Sequence, residues 1–317
     1  MNQTFKIRVA EDKDFSPKVL QMLQEVAEVE MASCTAEELP EIFNSCDVFW
    51  FRLGFKLNKE LIDNSTQLKI IATPVTGIDH IDEAACAAKG IKIICLRGEY
   101  EFLKEVRATA EHTLALTLAL LRHLPAATLD AQQGNWQRDL YRGHELYKKK
   151  VGIIGMGRLG QITASYFKAF GCDVYYYDTR SITSEVAQPV KQLNDIAACD
   201  IISVHVNYTK ENHHLIDSDF FEQCTGNGYF INTSRGGIVK EMDLLNALDK
   251  GLLKGAALDV IQDEFSYNAS NTLATYAREH HNLLLTPHIG GNTYESFEKT
   301  ELFIAQKIIA QLHAAGR

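Results

Sequence analysis

The sequence predicts an α/β protein made of two doubly wound parallel-sheet domains. Two series of short β-rich runs, each alternating with helix-compatible segments, carry that reading, and one long helical stretch separates them. A length of 317 residues suits two domains of ordinary size.

The first series contains the strand-like runs FKIRVA (5–10), CDVFWFR (46–52), LKIIATP (68–74) and IKIICLR (91–97). Between them lie AEELPEIFN, NKELIDN and HIDEAACAAKG, which suit helices, as βαβ units with a parallel sheet require. From Glu99 to Leu124 the stretch EYEFLKEVRATAEHTLALTLALLRHL predicts one helix, ending before Pro125 because pre-proline residues avoid the α region. A polar segment with Gly134, Trp136 and Gly143 follows.

The second series runs VGIIG (151–155), CDVYYYD (172–178), CDIISVHV (199–206), GYFINTS (228–234), GAALDV (255–260) and NLLLTP (282–287). Amphipathic segments such as KEMDLLNALDKG alternate with them, and TYESFEKTELFIAQKIIAQLHAA predicts a last helix ending at Gly316.

Composition narrows the partners. A net charge of −9 argues against nucleic acid or an anionic membrane, since either needs a basic face. The apolar run TLALTLALL (113–121) is too short to span a bilayer and reads as a buried helix. Seven cysteines without a C-x-x-C pair suit reduced thiols rather than disulfides or a metal site. The opening MNQTFKIRVAEDKDF has no apolar h-region, so the expectation is a cytoplasmic protein.

VGIIGMGRLG places Gly155, Gly157 and Gly160 in a G-x-G-x-x-G hexad between a strand run and the helix candidate QITASYFKAF. A second strand run ends in Asp178, about twenty residues on, as a Rossmann NAD-binding unit requires. Gly155 permits the tight turn, Gly157 lets backbone approach a pyrophosphate, and Gly160 lets helix and strand pack closely. The amides of Arg158 and Leu159 then face the anion. Asp178 would accept hydrogen bonds from ribose hydroxyls and repel a 2′-phosphate, which favours NAD over NADP; Arg180 pulls the other way.

Three polar residues sit just past strand runs, where an open parallel sheet places its ligand site. They are Arg235 in INTSRGG, Glu264 after LDVIQDE begins, and His288 in LLLTPHIGG. Taken singly each also fits a bland role: a capping arginine, a solvated acidic loop, a structural histidine. Their occurrence together behind a dinucleotide turn points to chemistry.

With these residues in view, the chain resembles the D-isomer-specific 2-hydroxyacid dehydrogenases, a family that includes phosphoglycerate dehydrogenase and glyoxylate reductase. The resemblance covers nearly the whole chain. It rests on GIDHID (77–82), ATAEHTLALTLALLR (108–122), GNWQRDLYRGHEL (134–146), the glycine hexad, INTSRGGIV (231–239), GAALDV followed by Glu264, and TPHIGG (286–291).

It implies a catalytic set of Arg235, Glu264 and His288. Arg235 would hold the substrate carboxylate and polarise its carbonyl. His288 would exchange a proton with the carbonyl oxygen as hydride moves to or from the nicotinamide, and Glu264 would orient the imidazole. It also implies that the Rossmann domain (99–288) is inserted into a flavodoxin-like substrate domain (1–98 plus 289–317). Thr109, Thr233, Ser234, Asp259 and Gly291 would lie near the cofactor, and His205 and Asn207 along its nicotinamide side. The helix around Thr109–Leu121 would belong to a homodimer contact. The substrate class implied is a small anionic 2-hydroxy or 2-keto acid.

Some positions depart from the family pattern. The substrate loop, commonly G-x-G-x-D-N, is Val75-Thr76-Gly77-Ile78-Asp79-His80, which leaves the amides of Thr76 and Gly77 for the carboxylate. Phe265 replaces a customary proline after Glu264, and Asn207 and Tyr208 replace the usual residues after the His205 strand. Arg52 lies near a position that contacts the distal end of substrate in some relatives, although a strand-end arginine is commonly a surface residue. A second reading of the same fold is a nicotinamide-sensing binding protein of the corepressor kind. A formate-oxidising relative is disfavoured, because that branch carries glutamine where Glu264 stands.

Overall fold

The structure, a computed structural model, describes residues 5–315. Gly316, the expected end of the last helix, lies outside the described residues. The chain divides into two compact units, Met1–Val106 with Thr293–Arg317, and Arg107–Asn292. These divisions fall later in the chain than the junctions expected at 98/99 and 288/289. Leu103 is buried in the core of the first unit and Phe102 stacks on Phe303 at 4.1 Å, which holds 100–106 there. At the other junction, Ile289 and Gly290 donate their amides to Asp259 and stay with the second unit.

The first unit holds a five-stranded sheet of β1 (Phe5–Val9), β2 (Ala27–Met31), β3 (Val48–Trp50), β4 (Ile70–Ala72) and β5 (Lys92–Ile94), in the order β2-β1-β3-β4-β5. Every pairing is parallel, so helices cover both faces. On one face Val19, Leu23, Ile304 and Ile308 pack on Ile7, Val9 and Trp50. On the other, Leu39, Phe43, Ile62 and Cys86 pack on Phe49 and Ile71. Each such fully buried large side chain contributes about 1.5–3 kcal/mol.

Sequence reasoning missed β2. Its alternating Glu28 and Glu30 give AEVEM a polar look, and as an edge strand it buries only Ala27 fully. The order reverses between β1 and β3, and there the sheet fills its own crevice. The Glu11 carboxylate, just past β1, accepts the backbone amides of Arg52 and Gly54, just past β3.

The second unit holds a seven-stranded parallel sheet. Its strands are β6 (Lys150–Ile154), β7 (Asp173–Tyr177), β8 (Gln188–Pro189), β9 (Ile201–Val204), β10 (Tyr229–Asn232), β11 (Gly255–Leu258) and β12 (Leu283–Leu285). Their order is β12-β11-β10-β9-β6-β7-β8, with the reversal between β6 and β9. Proline hid β8 from sequence reasoning, and its edge position is where a strand tolerates that residue.

The single helix expected over 99–124 is not one helix. It is Tyr100–Leu103, a break, Ala108–Leu121, and then Leu124–Gln132 after His123 at φ +52°. Pro125 does not stop a helix but sits in the first turn of the next, where its missing N–H costs nothing. All seven cysteines are free thiols. Among the described residues no helix is long and apolar enough to cross a membrane.

Candidate active site

The loops leaving β10, β11 and β12, three neighbouring strands, carry Arg235, Glu264 and His288. The next strands, β9, β6 and β7, end at His205, at the glycine hexad and at Asp178. One rim of one sheet therefore carries these residues in an order the chain itself does not have, while Thr109 lies on the helix Ala108–Leu121.

His288 Nδ1 lies 2.7 Å from Glu264 Oε2. An ionised carboxylate only accepts, so Nδ1 carries the hydrogen and Nε2 remains to give or take a proton. The pair is partly open, with side-chain exposures of 25% and 34%. His288 has φ +55°, a left-handed conformation uncommon outside glycine. Its amide is fixed by the carbonyl of Asp259 at 2.8 Å.

Asp259 is 2% exposed and holds this loop through its side chain as well. Oδ1 accepts the Thr286 hydroxyl at 2.6 Å and the Ile289 amide at 2.9 Å, and Oδ2 accepts the Gly290 amide at 2.8 Å. His112 Nε2 lies 3.2 Å from Oδ1. Burial opposes ionisation of this carboxyl, but the hydrogen bonds from His112, Thr286, Ile289 and Gly290 outweigh it and hold its pKa below the usual value. Asp259, expected near a cofactor, thus serves as the anchor of the His288 turn.

Arg235 starts a short 3₁₀ turn and donates from Nη1 to the Ser234 carbonyl at 2.9 Å. Buried Asn232 braces it, donating to the Arg235 carbonyl and accepting from the Ser234 amide and hydroxyl. The next residue, Gly236, touches the loop that leads to Glu264. A Cβ there would fall 1.9 Å from the Ile261 carbonyl carbon, so only glycine allows the approach. From the far side Glu241 accepts the Gln262 amide and His214 Nε2 lies 3.2 Å from Gln262 Oε1. Burial pushes the Glu241 carboxyl up.

Thr233 turns inward, its hydroxyl 2.8 Å from that of Thr113. Thr109 borders the glycine pair after His288, with its Oγ1 3.9 Å from where a Gly291 Cβ would stand.

At the reversal between β6 and β9, Gly155 adopts φ +93°. A Cβ on it would meet the His205 carbonyl oxygen at 2.8 Å, and one on Gly160 would meet the Gly155 carbonyl oxygen at 2.1 Å. Gly157 is the N-cap of the helix Arg158–Ala169 and has no side chain to cap it with. The space above Gly157 is open, since the nearest atom to an added Cβ is Arg180 Nη2 at 3.9 Å. A twelve-residue helix that starts at a glycine with room above it fits a pyrophosphate.

Asp178 directly follows β7 beside this turn and accepts the Met156 amide at 2.8 Å. Arg180 folds back onto it, donating its amide at 2.9 Å and Nε at 3.1 Å to Oδ1. Burial opposes ionisation, but these bonds hold the carboxyl below its usual value. The His205 imidazole is pushed down to about 4 by burial and sits 2.8 Å from the Ser203 hydroxyl, so it is neutral at pH 7. Asn207 is exposed, and its carbonyl accepts Asn212 Nδ2 at 2.7 Å.

In the smaller unit Thr76 is exposed and Gly77 half-buried in the loop after β4. Arg52 is engaged internally. Nη2 pairs with fully buried Glu301 at 2.6 Å, Nη1 donates to the Lys13 carbonyl, and the guanidinium stacks on Phe297 at 4.2 Å. Sequence reasoning missed His112, Thr286, His214 and Gln262. The one available signal was His112, a polar residue on the border of an apolar helix.

Residues 114–290 match the family model described as D-isomer specific 2-hydroxyacid dehydrogenase, NAD binding domain. The chain is 34% identical over 296 residues to the D-3-phosphoglycerate dehydrogenase of Methanocaldococcus jannaschii, covering 91% of this chain and 54% of that one. It is 29% identical over 309 residues to the hydroxypyruvate reductase of Thermotoga maritima, covering 97% and 98%. The structure of the D-lactate dehydrogenase of Aquifex aeolicus, complexed with NAD and lactic acid, superposes with a TM-score of 0.85 at 26% identity, covering 98% and 96%.

The chain belongs to the D-isomer-specific 2-hydroxyacid dehydrogenase family, and its cofactor is NAD. It spans about half the length of the phosphoglycerate dehydrogenases it matches.

Proposed function

We propose that the protein is an NAD-dependent oxidoreductase that interconverts a small D-2-hydroxy acid and its 2-keto acid. The observation that carries this reading is the 2.7 Å His288–Glu264 pair on a strand rim shared with Arg235 and the glycine turn. Bound NAD supplies the hydride acceptor, and in reduced form the donor. The amides of Arg158 and Leu159 hold its pyrophosphate, and Asp178 accepts from the adenosine ribose.

Arg235 binds the substrate carboxylate through its planar guanidinium and draws electron density from the carbonyl. Nε2 of His288 donates a proton to the carbonyl oxygen in reduction and takes it back in oxidation. Glu264 holds Nδ1–H, which keeps the ring in the tautomer that leaves Nε2 free for this exchange. The Thr76 and Gly77 amides are assigned to the carboxylate as well. Arg52, through its pairing with Glu301, supports the smaller unit rather than the acid's distal end.

A homodimer fits the second unit. An apolar groove of about 570 Å³ lies along Ala115, Leu116, Ala119, Leu283 and Leu285. The same unit exposes Trp136 at 91% and Leu140 at 67%, apolar surface suited to cover such a groove reciprocally. Free thiols and the absence of a basic composition favour a cytoplasmic protein acting on a small molecule.

Purified protein given NADH and a panel of small 2-keto acids is expected to consume NADH, and His288→Ala to abolish that while still binding NADH. Tight NADH binding with no turnover of any acid would replace this reading with the sensing one.

A further inference from the structure

His112 stands outside the set assigned to cofactor or acid, yet it reaches the turn that presents His288. It projects from the helix Ala108–Leu121, with Nε2 3.1 Å from Thr286 Oγ1 and 3.2 Å from Asp259 Oδ1. Its side chain is 18% exposed. The hydrogen bookkeeping admits one arrangement. Asp259 Oδ1 only accepts, and the Thr286 hydroxyl, 2.6 Å away, gives its single hydrogen to it. The hydrogen on His112 Nε2 then faces the free lone pairs of Thr286 Oγ1 and Asp259 Oδ1 together.

That hydrogen closes a ring of three side chains. The ring fixes the Asp259 carboxylate plane, and the plane fixes the Ile289 and Gly290 amides on the far side of His288. His288 is held at φ +55° between these anchors, a conformation that a non-glycine residue keeps only when its surroundings enforce it. We infer that His112 is a positioning residue for His288: it locks Thr286 and Asp259, and through them the left-handed turn that aims the imidazole at its proton partner. The inference rests on the proposed role of His288, and it adds a helix to the strand-end residues that make up the site.

The test compares His112→Leu, which removes the donor, with His112→Gln, whose side-chain amide places a donor near the Nε2 position. In the leucine variant kcat is expected to fall about 10- to 100-fold, since misplacing a reacting group by about 1 Å costs that much. KM and the NADH Kd are expected to stay within about twofold of wild type. The glutamine variant is expected to recover kcat to within about threefold.

A second readout needs no turnover: the imidazole ¹⁵N resonances of His288 at pH 7 without cofactor or acid, assigned as those missing in His288→Gln. They are expected to move in His112→Leu and to return in His112→Gln. A wild type that turns over no keto acid defeats the functional reading alone, and the resonances still decide the role of His112. If the leucine variant does not fold, His112→Asn takes its place, because its shorter amide misses the Nε2 position. A donor-free variant with kcat within about twofold of wild type and unmoved His288 resonances overturns the inference.

Discussion

The Asp259 carboxylate holds both backbone amides that follow His288, Ile289 N at 2.9 Å and Gly290 N at 2.8 Å, while its own carbonyl holds the His288 amide at 2.8 Å. One buried acid thus fixes the backbone on both sides of the proposed proton donor.

Asp259→Asn tests that anchor. An amide of the same shape must turn its NH₂ toward backbone N–H or hydroxyl donors, which leaves buried groups unsatisfied at a cost of about 1–3 kcal/mol. The pH sign follows from the lowered carboxyl pKa. The ionised form contributes its full stability above the ordinary value of 3.8 and loses it as pH falls through the lower folded value. The Tm gap between wild type and variant is therefore expected to be full at neutral pH and to narrow below about pH 4. A gap that widens in acid would refute the anchoring.

The proposed role of Asp178 in cofactor choice is testable together with Arg180. A carboxylate there would repel a 2′-phosphate, and the guanidinium is kept on the carboxylate by bonds of 3.1 and 3.2 Å. Asp178→Ala removes the repulsion and releases Arg180, so the NADPH-to-NADH ratio of kcat/KM is expected to rise about 10- to 100-fold, because like-charge contact costs several kcal/mol. Adding Arg180→Ala is expected to reverse most of that gain. A wild type that already prefers NADPH would show the assignment of Asp178 to be mistaken.

The Arg52–Glu301 pair separates a supporting role from substrate contact. Breaking a buried ion pair by removing one partner costs about 3–5 kcal/mol, and Glu301 is fully buried. Arg52→Met is expected to lower Tm by several degrees, with Glu301→Gln in the same chain restoring part of it. An unchanged Tm together with a raised KM for the acid would return Arg52 to the substrate.

His205 gives a second pH window. Burial holds its pKa near 4, below the ordinary 6.5, so the unfolded chain binds the proton more readily. Its contribution favours the fold fully above about pH 6.5 and fades as pH falls toward about 4. The Tm of His205→Gln is expected to vary less than that of wild type across this window. Identical slopes would show the imidazole to be solvated.

The strands that carry the candidate site were legible because buried parallel strands read as continuous apolar runs, and VGIIG, GYFINTS and NLLLTP each end where a candidate residue begins. β2 and β8 were not legible, since an edge strand needs no such run. The break at 104–107 was hidden because nothing in KEVR forbids a helix; tertiary packing of Phe102 and Leu103 on the smaller unit decides it. The proposed chemistry was readable one residue at a time at Arg235, Glu264 and His288. The bracing was not, because His112, Thr286 and Asp259 meet only through the fold, and no spacing along the chain announces a contact between residues 112 and 286.

Glu11 bears on how the smaller sheet can be used. A doubly wound sheet offers an external anion its best seat at the reversal of strand order, and here a tethered carboxylate already sits there on the amides of Arg52 and Gly54. The smaller unit thus fills that seat with a side chain of its own. That occupancy is consistent with the proposed assignment of the substrate carboxylate to the neighbouring loop at Thr76 and Gly77, and Glu11→Ala is expected to free the two amides for a small carboxylate.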